Sequence, residues 1–570
     1  MGLSVKGDEP SDEQRYGPEL EQYLRAGYFD LSLREPPTHE EALEAIKALR
    51  NDLDVTYEDF ETILAMEKSP ACSSLYNLLS TPDDNFIGIF PACINLLQAY
   101  CSAEGNGILD HAYGFLCLRV MSLVVQLAML AHNVDQNWFE SFWLTVAQLP
   151  EDQSVYSTLS EHMNRLYDWA KELDPNKKDI TLFGICYNPE SRKVVCLPHT
   201  GECDTPAAEF IIEKLWSARD KFLFAARWAT HLFPRMGIML DMIRALFAAP
   251  RLNASVPLST RTISDDDQIW VRLLDVVTRY SLCCDESEES RTALMLRKFP
   301  KVAQDTFSRS SSIRPVNELD ATQVVVDASN RLKARLDAPM SLSLHAFLYG
   351  CGLLTSNSAE SLGRTIFDAY FDKMWFELCR YNKSTENQLH ALLHSCTSMT
   401  HAYILIIGKH QERAMFFLDF LSDKIAEVHA RMILLPILTQ TLGTSIASMN
   451  IYQDQFRTWT SQLTMGLIHS RVKVPVGLTD GLFPMWHRIF EHLQFSESMM
   501  DSSTQMLEQK YFHSWVTSWV RLGLMYEMGD ILRHPMLCSY PRCPAPSIMV
   551  GWKCGGCNDR LYCTRQCQRA

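Results

Sequence analysis

The sequence predicts a mainly α-helical protein: an irregular multi-helix or α-solenoid-like body followed by a small cysteine-rich module at the C-terminal end. Three observations carry this. Apolar residues recur at helical spacing from about residue 37 to residue 535. Strand signals are confined to one short stretch. Of 18 cysteines, six crowd into residues 538–570. At 570 residues, 47% hydrophobic and 21% charged, the chain has the length of two to four domains or of one extended repeat structure. No fixed period of 20–50 residues emerges, so an irregular body stands beside a solenoid.

Residues 1–36 read as a polar, partly disordered lead-in that Pro36 and Pro37 stop. The first helical region spans 37–310. Thr38 and Glu41 make a capping-box pattern, and Leu43, Ile46, Leu49 and Leu53 follow at helical spacing. The segment 107–133 is apolar nearly all round, as a central buried helix is. Its longest apolar run, Phe115 to Ala131, contains Arg119 and Gln126, which argues for a buried helix over a membrane span. Residues 185–198, ICYNPESRKVVCLP, carry two β-leaning runs around an Asn-Pro-Glu-Ser turn and predict one hairpin among the helices. Ser264 caps a helix opened by Asp265, Asp266 and Asp267, acids at the positive end of the dipole. Loops fall near 250–262 and 308–318, the second the better boundary; a second helical region spans 319–535. There, 411–435 aligns Phe417, Leu421, Ile425, Val428, Met432 and Leu435 on one face before Pro436. Trp515 and Trp519 lie four apart in the last long helix, 511–528.

The module at 538–570 holds Cys538, Cys543, Cys554, Cys557, Cys563 and Cys567. Thiolates this dense gather around a metal or in disulfides, and compartment decides between them. The N-terminus is polar and acidic, with neither the apolar core of a secretory signal nor the Arg/Ser bias of a transit peptide. Lys6 breaks the myristoylation pattern at Gly2. The expectation is an intracellular protein, in cytoplasm or nucleus, with no membrane association. In that reducing setting the cysteines read as a Zn2+ site. The Cys554-Gly-Gly-Cys557 turn lets backbone amides approach sulfur, and Cys563 and Cys567 are one helical turn apart. The apolar residues of the segment are too few to fold it alone, so metal binding has to supply its stability, typically about 10–16 kcal/mol.

The order Cys-x4-Cys, Cys-x2-Cys, Tyr-Cys-x3-Cys-Gln resembles the beginning of a MYND-type zinc finger. The ending LYCTRQCQRA is the most specific part. The first pair is wider than the family's commoner Cys-x2-Cys. The resemblance implies a cross-brace of two zinc ions. Cys538, Cys543, Cys563 and Cys567 would form the first site, and Cys554 and Cys557 would start a second. The family pattern continues with a His and a final Cys, so the expectation is that a continuation past Ala570 supplies both. By sequence order alone, a single site of Cys554, Cys557, Cys563 and Cys567 stays open. The resemblance also implies a protein-binding module that takes proline-rich peptides, and hence a non-enzymatic interaction or scaffold protein.

Two other functional classes stand beside this one. Some lysine methyltransferases join a MYND finger to a SET domain, and the alternative class is an enzyme with its site in the helical body. However, His394-Ser395-Cys396 follows Leu393 where the SET signature has Asn, and the β-rich SET pattern is missing. No catalytic or cofactor-binding motif is found: Gly105 and Gly107 lack the third glycine of a dinucleotide loop, and no Walker loop or nucleophile elbow occurs. The third class is a transcription-associated factor. A net charge of −15 argues against broad nucleic-acid binding. The local excess of Arg542, Lys553, Arg560, Arg565 and Arg569 over Asp559 is what offsets anionic zinc thiolates. Cys186, Cys196, His199 and Cys203 could meet if the hairpin folded back. His390 and His394 are four apart without the glutamate of a zincin, and Cys283 and Cys284 read as buried thiols.

Overall fold

The computed structural model describes residues 12–27, 37–51, 54–66, 88–103, 105–133, 155–170, 179, 181–188, 193–196, 203–229, 236–252, 265–300, 315–338, 340–354 and 362–380. Beyond these it describes Thr458, Trp486, Ile489, Phe490, Leu493, Val516, Thr517, Trp519, Val520, Gly523, Trp552, Lys553, Leu561 and Tyr562. The described residues are mainly helical. The chain divides into two compact units, Met1–Asp320 and Ala321–Ala570.

The first unit opens with α1 (Asp12–Tyr16) and α2 (Leu20–Arg25), then α3 (His39–Arg50), α4 (Tyr57–Ala65), α5 (Ile89–Ser102), α6 (Ala112–Asn133) and α7 (Val155–Ala170). A three-stranded antiparallel sheet follows, β1 (Cys186–Asn188), β2 (Lys193–Cys196) and β3 (Cys203–Asp204), in the order β1-β2-β3. The unit continues through α8 (Thr205–Ser217), α9 (Arg219–Ala229), α10 (Gly237–Leu252), α11 (Asp265–Cys283) and α12 (Glu286–Arg297).

Local chemistry accounts for where these helices start. At α3 the Thr38 N–H donates to Glu41 Oε2 at 2.7 Å and the Glu41 N–H donates back to Thr38 Oγ1 at 3.3 Å, closing the capping box. The Thr38 N–H, joined by the Thr38 hydroxyl donating to Glu41 Oε2 at 2.8 Å, holds the Glu41 carboxyl below its ordinary pKa. α4 starts in a related way, with Asp59 accepting from the Thr56 N–H at 2.8 Å. Within the polar N-terminal stretch, Tyr23 and Leu24 are buried, and the Tyr23 hydroxyl donates to buried Glu61 at 2.6 Å. An amphipathic turn inside a polar segment is enough to dock it.

α6 is the axis of the unit. It packs against α1, α2, α4, α5, α7 and α10. Ala112–Leu130 is long and apolar enough to cross a membrane by composition, yet all of it is buried inside the unit. The helix is apolar all round because helices cover it on every side. Arg119 lies over the Phe115 ring at 5.8 Å. A helix with six neighbours among the described helices is the centre of an irregular bundle, whereas solenoid repeats touch only the next repeat along.

In the second unit α13 (Glu318–Ala334), which starts in the last residues of the first, precedes α14 (Met340–Leu353) and α15 (Gly363–Arg380). α14 and α15 pack through Phe347, stacked on Tyr370 at 4.2 Å and edge-on to Phe367 at 5.0 Å. Buried Lys373 donates to the Leu336 and Ala338 carbonyls and to Glu377, tying α15 to the turn after α13. Farther along, Trp486 and Trp519 stack 6.3 Å apart, each indole N–H donating to the other's carbonyl at 3.0 Å. Gly523 permits this approach, since a Cβ there would meet the Trp486 ring at 2.4 Å. The helix expected over 411–435 lies outside the described residues, as do Leu53, Ser264 and Trp515.

Candidate functional site

All six candidate zinc ligands, Cys538, Cys543, Cys554, Cys557, Cys563 and Cys567, lie outside the described residues. What the structure describes there is a pair of short strands, β4 (Trp552–Lys553) and β5 (Leu561–Tyr562). They pair antiparallel, Trp552 opposite Tyr562 and Lys553 opposite Leu561. The connection between them runs over residues 554–560 and so contains the Cys-Gly-Gly-Cys segment. Cys563 directly follows β5 in the chain.

The second cysteine group sits on the sheet of the first unit. Cys186 is opposite Val195 and Cys196 opposite Cys203. Side chains alternate along a strand, and cross-strand partners share a face. Cys186 and Cys196 are therefore on opposite faces, and their burial agrees: Cys186 is exposed and Cys196 is 0% exposed. The two cannot grip one ion, so the group Cys186, Cys196, His199 and Cys203 is not a four-ligand site. His199, His390 and His394 are outside the described residues. Among the described residues no group of three or more His, Cys, Asp or Glu is placed to hold a metal ion. Cys284 is buried and Cys283 half-buried; each thiol donates to carbonyls of its own helical turn.

Sequence reasoning did not find the buried charges of the first unit. One set joins α7, α10, α11, α12 and residue 179. Arg244 donates to Asp241 and to Asp179, both at 2.7 Å, and Lys298 donates to Asp179 at 2.5 Å. The Tyr167 hydroxyl donates to Asp241 at 3.1 Å, while its ring lies under the Arg291 guanidinium at 4.4 Å. Arg291 bonds Glu288 at 3.0 Å and Asn164 at 2.7 Å, and Glu288 also accepts from Tyr280. Three cations, Arg244, Lys298 and Arg291, thus face three carboxylates, Asp179, Asp241 and Glu288. Burial and the neighbouring carboxylates push the Tyr167 and Tyr280 hydroxyls well above their ordinary pKa, so both stay protonated donors.

A second set surrounds Arg279 of α11, which is 0% exposed. It grips Asp320 with two parallel bonds of 2.6 and 2.9 Å and reaches Asp275 at 3.2 Å. Asp275 also accepts from the Trp216 indole at 3.0 Å, and the Val316 N–H donates to Asp320 at 2.9 Å. These are paired charges that fix helices to one another. Structural ion-pair networks perturb pKa values as catalytic sites do, and the carboxylate partner that each of these cations has is the mark of the structural kind.

The pH response follows from Asp320 and Asp179. Burial alone would raise both; hydrogen bonds and positive charge from Arg279, and from Arg244 with Lys298, outweigh it and hold both below the ordinary carboxylate value. A carboxyl whose folded pKa lies below its unfolded value adds stability that is complete above the unfolded pKa. That stability is lost as pH falls through the folded one. The unfolded value is about 3.9. The urea midpoint should therefore hold through neutral pH and drop steeply below about pH 4. Asp320→Asn should flatten part of that drop, and an unchanged acid limb in this variant would contradict the assignment.

Compared with protein-family models, with curated proteins and with solved structures, the chain matches none.

Proposed function

We propose that this chain is a zinc-binding interaction protein, in which a helical body carries a MYND-type finger at 538–570 and works in a reducing intracellular compartment. The observation that carries the reading is the β4–β5 pair around the Cys554-Gly-Gly-Cys557 segment. The two described residues of each strand would not by themselves hold a hairpin in water. Cys554 directly follows β4 and Cys563 directly follows β5 in the chain, and a metal held by such thiols would supply the missing crosslink.

The donor set fits zinc: sulfur ligands suit Zn2+, and four of them close a structural site with no open coordination position. Following the family pattern, Cys538, Cys543, Cys563 and Cys567 would hold one ion, with Cys554 and Cys557 contributing to a second. The metal would supply folding energy, not reaction chemistry. The finger would then present its surface to other proteins, with proline-rich peptides as the family-like ligand class.

Elemental analysis of the purified full chain should find about one zinc per chain, following the ligand count of a closed tetrahedral site. The paired variant Cys538→Ser/Cys543→Ser decides the ligand pattern. Loss of zinc supports the cross-brace, whereas retention assigns the ion to Cys554, Cys557, Cys563 and Cys567. Binding to a proline-rich peptide array should disappear on chelation. A chain that binds no zinc refutes the proposal.

A further inference from the structure

We propose that Cys196 and Cys203 form a reversible cross-strand disulfide, a thiol modification site on the small sheet of the first unit and separate from the C-terminal cysteines. The argument starts from register. Cys196 of β2 and Cys203 of β3 are direct Cα partners. Facing positions of an antiparallel pair lie about 4.5–5.5 Å apart at Cα, inside the roughly 4.4–6.8 Å that a disulfide spans. Cys186 is excluded as a competitor because it occupies the other face.

Both positions are held by neighbouring structure. β2 packs on α10 and α8, and Cys196 is completely buried. β3 runs directly into α8, whose first turn is capped by Asp204 Oδ1 accepting from the Ala207 N–H at 3.0 Å. Ala208, Ile211, Ile212 and Leu215 then bury α8 against the unit. The two backbones are thus set side by side by packing that does not depend on the cysteines. Among the described residues β3 pairs with β2 alone, through Cys203 and Asp204. Such an edge opens at low cost, which gives a small thiol reagent access to a buried sulfur.

Glutathione disulfide is the oxidant class. One protein thiolate attacks a sulfur of glutathione disulfide; that S–S bond breaks, one glutathione thiolate leaves, and a mixed disulfide forms. The second protein thiolate attacks the protein sulfur of the mixed disulfide and expels the second glutathione. Two protein thiols are oxidised, one glutathione disulfide is reduced to two thiols, and the two protons end on the two glutathiones. The product staples the start of α8 to β2.

The test uses the full-length protein. It is equilibrated in glutathione buffers of graded ratio, blocked with an alkylating reagent and digested with trypsin. Cleavage after Lys193 and Lys214 leaves residues 194–214 as one peptide containing Cys196 and Cys203 and no other cysteine. The expected result is that peptide without alkyl groups and lighter by two hydrogens. It should persist to a glutathione ratio about tenfold more reducing in the folded chain than in urea. Cys203→Ser should leave Cys196 alkylated or carrying one glutathione. The proposal falls if the folded peptide carries two alkyl groups or a single glutathione throughout, or if folded and urea-treated chains titrate at the same ratio.

Discussion

Arg279→Met should cost the first unit about 3–5 kcal/mol, the range for breaking one partner of a buried ion pair. The guanidinium is wholly inaccessible, bonds Asp320 through two parallel contacts, and also serves Asp275. Methionine fills much of the volume but offers no donor. Asp320 would then have to be protonated or hydrated at a site where it is only 4% exposed. Helix propensity hardly changes, because arginine and methionine rank together, so the loss belongs to the charge. The measurement is urea unfolding followed by helical circular dichroism. The double variant Arg279→Met/Asp320→Leu should recover a substantial part of the loss, since removing both charges removes the stranded one. A single variant that costs under about 1 kcal/mol would place the pair among weak surface-like contacts and overturn its assigned role.

Gly114→Ala should destabilise the same unit by about 3 kcal/mol or more, the upper range for inserting a methyl group into a packed interior. On propensity alone the change would help, since alanine is favoured over glycine in a helix interior by about 1 kcal/mol. The geometry reverses that sign. A Cβ at Gly114 would lie 1.8 Å from the Ile108 carbonyl oxygen and 2.9 Å from its carbon. The obstacle is main chain, and it is pinned. Gly107 N–H donates to Asp110 at 2.6 Å, Leu20 N–H donates to the Asp110 carbonyl at 3.0 Å, and Lys221 pairs with the Asp110 carboxylate at 2.5 Å. Moving Ile108 aside means breaking several of these contacts together. An alanine variant with an equal or higher urea midpoint would show that the turn yields freely.

Several elements were readable because their causes are local. Thr38 and Glu41 are three residues apart and satisfy each other's donors whatever else the chain does. The segment 107–133 announces burial by lacking a polar face. The Asn-Pro-Glu-Ser turn separates two β-leaning runs, and β1 and β2 lie there. β3 was not anticipated, because two residues give no periodicity to detect. The charge networks were invisible for a different reason. Arg279 and Asp320 are 41 positions apart, Arg244 and Asp179 are 65, and Lys298 and Asp179 are 119. No spacing rule reaches that far, and each residue alone resembles an ordinary surface charge. The opposite-face arrangement of Cys186 and Cys196 likewise required the strand register. For the C-terminal cysteines, spacing identifies the donors but leaves their pairing to the zinc measurements.

The central position of α6 has a consequence for how the chain is made. Of the helices that cover it, α10 begins at Gly237 and α6 ends at Asn133. Roughly a hundred residues must therefore be synthesised in between, which takes on the order of 5–20 s at ordinary elongation rates. Throughout that interval the nascent polypeptide carries an oily rod with one flank still uncovered. That is transiently exposed apolar surface of the kind that invites aggregation, and it emerges well before any of the C-terminal cysteines has been translated.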